Sequence, residues 1–341
     1  MPRRRGVPGD RRSIQAGTGS RPAGWPNVAP RGSPLLQSLL QNILNALQWG
    51  SFYSLIALGY CLVYGVLLLI NFAHGDIFMV GAYIAFFVCT FLLGKFGLIP
   101  GLPGWLVMTL AVPLTMILTA VVGVTLERVA YRPLRRKGVN RLYVVITALM
   151  CGLILENGNL ALLGASRKSF PTLIPTHVYH FFGVTVTNLK LMVIGVAILG
   201  FLLLQFIVSR TKIGMAMRAI SYDRFAVPLM GIPADTVIVF TFVLGSAFAG
   251  LAGIFFAMTY PVLDPYMGAL IGWKAFIAAV VGGIGSIAGA FAGGFLLGFV
   301  EIMVVAFFPS TFRDLIAFSI LLLILSIRPT GLFGVAKSTK I

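Results

Sequence analysis

Charge is scarce in this chain, and negative charge scarcest. Only 10% of its 341 residues are Asp, Glu, Lys or Arg, against roughly 25% in a soluble domain. Nine acids stand against 26 Lys and Arg, a formal net charge of +17. Metal-binding side chains are few as well. Cys61, Cys89 and Cys151 each lie inside an apolar run without metal-ligand spacing, so neither a disulfide framework nor a zinc site is expected. No glycine-rich run is followed by Gly-Lys-Ser/Thr, which argues against a phosphate-binding loop. No Ser or Cys nucleophile has a convincing base beside it, and no metal or other cofactor is implied. The chain is not expected to be an enzyme.

Apolar residues are what it has in plenty: 58% of the sequence, with a mean hydropathy of +0.97. That composition predicts an all-α, polytopic integral membrane helical bundle. The surplus of positive charge does not call for nucleic acid. The cations sit in the N-terminal tail and between apolar runs, as charge held on the cytoplasmic side of a membrane would.

Residues 1–33 carry seven arginines, several Gly and Pro and almost no large apolar residues. Such a segment cannot bury enough surface to fold, so residues 1–34 read as a disordered basic extension. A twin-arginine signal is disfavoured because no apolar stretch follows Arg12 at the right distance. The membrane domain is placed at 35–334 and a short cytoplasmic tail at 335–341. Residues 35–47, with Gln37, Gln41, Asn42 and Asn45, are expected to form a short, partly embedded helix, separate from a span over 52–70. Spans follow at 77–93, 105–126, 142–163, 191–208 and 237–258, then a Gly-rich apolar region over 269–308 and a span at 315–327. The total is about eight or nine helices. Residues 127–141 hold six cations and one acid and are expected in the cytoplasm, with the more polar 164–190 on the other side.

Three segments stand out. Residues 209–233 combine Arg210, Lys212, Arg218 and Arg224 with alternating small and apolar residues, which suits a short helix that another surface approaches closely. Asp223 is placed to cap a second turn and Gly231 to stop it. A solvated connector is the plain alternative. Residues 70–76, Ile-Asn-Phe-Ala-His-Gly-Asp, interrupt the apolar pattern. An ionisable group in hydrocarbon costs roughly 2.5–3.5 kcal/mol, so Asn71, His74 and Asp76 either line a translocation path or form an interfacial turn with Asp76 at a helix start. Lys274 and the run Gly282, Gly283, Gly285, Ser286 form the third. So many glycines are expected to break a helix, in a path or for tight packing, and Lys274 either joins that path or snorkels to the outer interface. The second and third segments are expected to meet. Glu156 and Glu301 need partners that the sequence does not name.

Taken as a set, Gly-Tyr-Cys-Leu-Val-Tyr-Gly (59–65), Ile-Asn-Phe-Ala-His-Gly-Asp (70–76), Glu-Arg-Val-Ala-Tyr-Arg-Pro-Leu-Arg (127–135) and Arg-Ala-Ile-Ser-Tyr-Asp (218–223) strongly resemble the branched-chain amino acid ABC importer permeases. Leu-Met-Gly-Ile (229–232), Lys-Ala-Phe (274–276), Gly-Gly-Ile-Gly-Ser (282–286) and Arg-Pro-Thr-Gly-Leu-Phe-Gly (328–334) extend the likeness, which looks like the H-type (LivH-like) subunit. The resemblance implies a multi-pass protein of the bacterial cytoplasmic membrane that works with a second related permease, two cytoplasmic ATPase subunits and an extracytoplasmic substrate-binding protein. It also implies ATPase coupling through Gly214, Arg218, Ala219, Asp223 and Gly231. Close relatives resemble urea or amide permeases, so the solute is less well specified. A proton-coupled carrier using His74 and Asp76 is the rival from another class. Pro228 and Ala288 depart from the family pattern.

Overall fold

The computed structural model describes residues 34–92, 101–181, 183–223 and 226–334. The expectations for residues 1–33 and 335–341 lie outside them. Helix α1 (Pro34–Leu67) is one continuous helix of 34 residues, so the separate short helix expected at 35–47 is corrected. Two of the polar residues that seemed to weaken that stretch, Gln41 and Asn45, find partners outside the helix. Gln41 Oε1 accepts from Thr185 N at 2.8 Å, its Nε2 donates to Thr185 O at 3.2 Å, and Asn45 Oδ1 accepts from Lys190 Nζ at 2.6 Å. At 1.5 Å per residue α1 is about 50 Å long, more than the roughly 30 Å of hydrocarbon. Its first turns therefore stand among polar partners beyond the membrane core.

Leu68, at φ +53°, ends α1 earlier than the expected Ile70. Residues 68–73 turn back as irregular backbone, and α2 (His74–Phe87) starts level with Gly59, part-way up α1. Irregular backbone at membrane depth is tolerated where protein buries it. After α3 (Gly104–Leu126), a π-helical turn (Glu127–Tyr131) leads into α4 (Arg132–Arg136), so the cationic 127–141 segment is largely helical. Asn140 caps α5 (Arg141–Leu163) by accepting from Leu142 N at 3.2 Å, and Gly164 at φ +78° ends it.

The expected polar loop at 164–190 contains strands. β1 (Lys168–Ser169) pairs antiparallel with β4 (Val262–Leu263), and β2 (Val178–Phe181) forms a hairpin with β3 (Val184–Thr187). Then come α6 (Asn188–Arg210), α7 (Lys212–Tyr222), α8 (Ala226–Leu229) and α9 (Ala234–Thr259). The last three helices are α10 (Met267–Gly283), α11 (Ile287–Phe307) and α12 (Arg313–Ile327). The Gly-rich region is therefore two regular helices whose break is confined to Ile284–Ser286, and Gly289, Gly293 and Gly294 lie inside α11. Among the described residues eight helices are long and apolar enough to span a membrane, and α10 is a shorter apolar helix.

α1, α2 and α9 form the buried centre, with α10 and α11 packed on α1. Glycines set the α1–α11 spacing: a Cβ added at Gly50 would lie 2.8 Å from Phe295 Cα. Such close backbone approach is how helices associate where lipid gives no hydrophobic drive. The start of α1 shares one end of the bundle with β2 and β3. Residues 209–233, the Ile284–Ser286 turn and residues 328–334 share the other. By the positive-inside rule that second end is expected in the cytoplasm, which would start α1 on the extracytoplasmic side.

Candidate translocation path and coupling site

The 209–233 segment folds as a short helix followed by a single turn. Thr211 caps α7, its Oγ1 accepting from Gly214 N at 3.1 Å. Asp223 Oδ1 accepts from Ala226 N at 3.0 Å to start α8, and Gly231 at φ +77° stops it. Gly214 has to be glycine because a Cβ there would overlap the carbonyls of Ile207 and Val208. Arg218 donates to Val208 O, holding α7 against the end of α6. Met217 and Ile220 are buried, Ala219 is half-buried, and Tyr222, Leu229 and Met230 stand at 79–90% exposure. α7 is thus fixed on its inner face and presents large apolar side chains outward.

His74 and Asn71 are buried. The His74 ring meets Tyr60 edge-on at 4.7 Å, and Asn71 Oδ1 accepts from Tyr131 Oη at 2.7 Å. Asp76 lies in the first turn of α2, yet no side chain caps that helix. Gly75 brings α2 onto α10, where an added Cβ would lie 2.6 Å from Gly268 O and 2.8 Å from Gly272 Cα. A cavity of about 290 Å³ opens beside this contact, lined by Tyr60, Phe72, Asp76, Glu156 and Trp273 among others.

The Gly282–Ser286 segment sits elsewhere. Leu332 N and Phe333 N donate to Val281 O and Gly282 O at 2.8 and 2.9 Å, so residues 328–334 close the end of α10. Ser286 Oγ caps α11 by accepting from Gly289 N at 3.1 Å. Gly285 faces Gly65 of α1, and both line a small cavity with Met217 and Arg218 of α7. The two expected path segments therefore lie at different depths, the first against Gly268 and Gly272, the second against the end of α1 and α7.

Lys274 does not snorkel. Its Nζ lies 2.9 Å from Glu301 Oε1 and 2.6 Å from Asp314 Oδ1, while Glu301 also binds Arg313 and accepts from Tyr53 Oη at 2.8 Å. At the basic end Arg132, Arg135 and Arg136 converge on Asp235, and Arg135 Nη1 reaches the buried Glu127 at 3.0 Å. Sequence reasoning did not find this cluster, whose members are about a hundred residues apart. A cavity of about 500 Å³ toward the end bearing the strands, lined by Asn45, Trp49, Thr172, Lys190 and Tyr260 among others, was likewise not foreseen.

Residues 42–325 match the family model described as branched-chain amino acid transport system / permease component. The chain belongs to this family. It is 40% identical over 312 residues to the high-affinity branched-chain amino acid transport system permease protein BraD of Pseudomonas aeruginosa, covering 90% of this chain and 100% of that one. It is 36% identical to LivH of Escherichia coli K12 (89% of this chain, 97% of the relative) and 35% identical to LivH of Salmonella typhimurium, with the same coverage. No solved structure matches. As a permease of this family with eight spanning-length helices among the described residues, the chain is a multi-pass membrane protein.

Proposed function

We propose that this permease is one transmembrane subunit of an ATP-binding-cassette importer that carries branched-chain or similar small amino acids across the cytoplasmic membrane. The observation that carries this reading is the α7–α8 handle, fixed by Gly214 and Arg218 and displaying Tyr222, Leu229 and Met230 to the cytoplasm. Two ATPase subunits supply the energy, one of them docking on the handle that Gly214 and Arg218 hold in place and that Ala219, Asp223 and Gly231 shape. Met217 and Arg218 share a small cavity with Gly65 and Gly285, which supports a movement of the handle passing to the end of α1 and the Ile284–Ser286 turn.

A second related permease completes the path along α5. That helix contacts the rest of the protomer mainly through α2 and the 127–131 turn, yet carries the half-buried Glu156 and the exposed Asn157. Polar side chains of this kind are costly against lipid and are better accommodated by a partner helix or a wet path. A substrate-binding protein docks at the extracytoplasmic cavity, and Asn71, His74, Asp76 and Lys274 line or support the route inward. Uptake of radiolabelled leucine by proteoliposomes holding the assembled complex is the test. Vanadate is expected to abolish uptake and a protonophore to leave it unchanged. The reverse pattern would identify a proton-driven carrier instead.

A further inference from the structure

We propose that the cavity between α2, α5 and α10 holds the ammonium group of the transported amino acid, with Asp76 as its principal anion. The inference rests on the importer reading above and adds to it a site and its chemistry. At about 290 Å³ the cavity is at the small end of ligand sites, near the lower bound of about 300 Å³, and suits a single amino acid.

Asp76 is only 8% exposed and its Oδ1 has no hydrogen-bond partner. Glycines make room for its carboxylate on both sides. A Cβ at Gly268 of α10 would lie 2.8 Å from Oδ1, and one at Gly152 of α5 would overlap Oδ2. Glu156, a second carboxylate, lines the same cavity.

The other buried acids show what is missing here. Glu127 has Arg135, and Glu301 has Lys274 and Arg313. Among the described residues no Lys, Arg or His pairs with Asp76 or Glu156. Buried charges are ordinarily paired, and an intramembrane ionisable group faces a cavity with a function. The cavity holds two carboxylates and no Lys, Arg or His in its lining, and Asp76 offers an incoming cation an acceptor. A primary ammonium brings that charge with three donors. The rings of Phe72 and Trp273 line the cavity and favour a cation, while Leu149 and Leu153 offer an apolar wall to a branched side chain.

The test uses the purified complex of permeases and ATPases without binding protein, probed with two half-molecules of leucine. Isoamylamine keeps the amine and lacks the carboxylate, and isocaproate is the converse. Isoamylamine is expected to raise the unfolding temperature with concentration, as a ligand of the folded state does, and isocaproate is not. The shift should vanish in Asp76→Asn and persist in Asp76→Glu. Leucine uptake by Asp76→Asn should fall about tenfold to a hundredfold, the worth of a hydrogen bond to a charged group, with ATPase stimulation by the binding protein retained. If Asp76→Asn does not assemble, Glu156→Gln is read in the same way, with a weakened shift expected. Equal shifts from both probes, no shift from the amine, or full uptake by Asp76→Asn would overturn the proposal, the last because a neutral group would then suffice. An intact amine shift with vanadate-insensitive uptake would instead sink the importer reading and leave the site standing.

Discussion

Glu301 is fully buried, yet it has more partners than the other buried acids, meeting Lys274, Arg313 and Tyr53 from three different helices. The sequence marked it as needing a counter-ion and could not say which, because Tyr53 lies on the first membrane helix and Arg313 on the last. Removing one member of a buried ion cluster leaves the rest uncompensated, at about 3–5 kcal/mol. Glu301→Leu should therefore lower the unfolding temperature of the detergent-purified complex well below that of Asp314→Asn, whose carboxylate is half exposed. Gly283 and Gly285 offer a second comparison. Both have positive φ, at +115° and +94°, a conformation that costs an L-residue about 1–2 kcal/mol. An added Cβ at Gly283 would also lie 2.5 Å from Gly334 N, whereas at Gly285 the nearest atom is 4.0 Å away. Gly283→Ala should reduce the yield of assembled complex more than Gly285→Ala, measured as the monodisperse fraction in size-exclusion chromatography. Equal yields would mean that residues 328–334 do not close α10 in the membrane.

Helix α7 was readable from its sequence because a small residue where a backbone must approach and an apolar one where a core must be filled leave a local pattern. Its outer face, with Tyr222 among basic neighbours, gave no such signal. Ala219→Trp places bulk at the edge of the docking face, and it should abolish uptake and binding-protein-stimulated ATPase activity while membrane insertion stays normal. Retention of both activities in a correctly inserted protein would remove this helix from coupling. Helix α1 was misread for a complementary reason. Polar residues count against a span when a segment is judged alone, and their partners, Thr185 and Lys190, lie some 145 positions away. The Gly-rich region was misread because glycine loosens an isolated helix but permits close helix packing in a bundle, as Gly289, Gly293 and Gly298 do in α11.

The bundle has one strongly basic end and one end bearing short strands, and the number of crossings fixes where α1 starts. A cysteine at position 36 or 172 should react with a membrane-impermeant thiol reagent added to intact cells, and one at position 139 should not. Labelling at 139 with protection at 172 would invert the arrangement. The family and the general architecture were legible in sequence because composition and motif order are properties of the chain itself. The depth at which α2 begins was not, since it depends on the turn at Leu68 and on Gly59 making room for His74.

The thin attachment of α5 also bears on how long a subunit survives in the cell. On the proposed pairing, a protomer made without its mate would offer a helix bearing Asn157 and Glu156, held mainly along one side, to proteolysis in the membrane. Its half-life should lengthen when the mate is co-expressed, so that degradation, as well as transcription, would keep the two permeases in equal number.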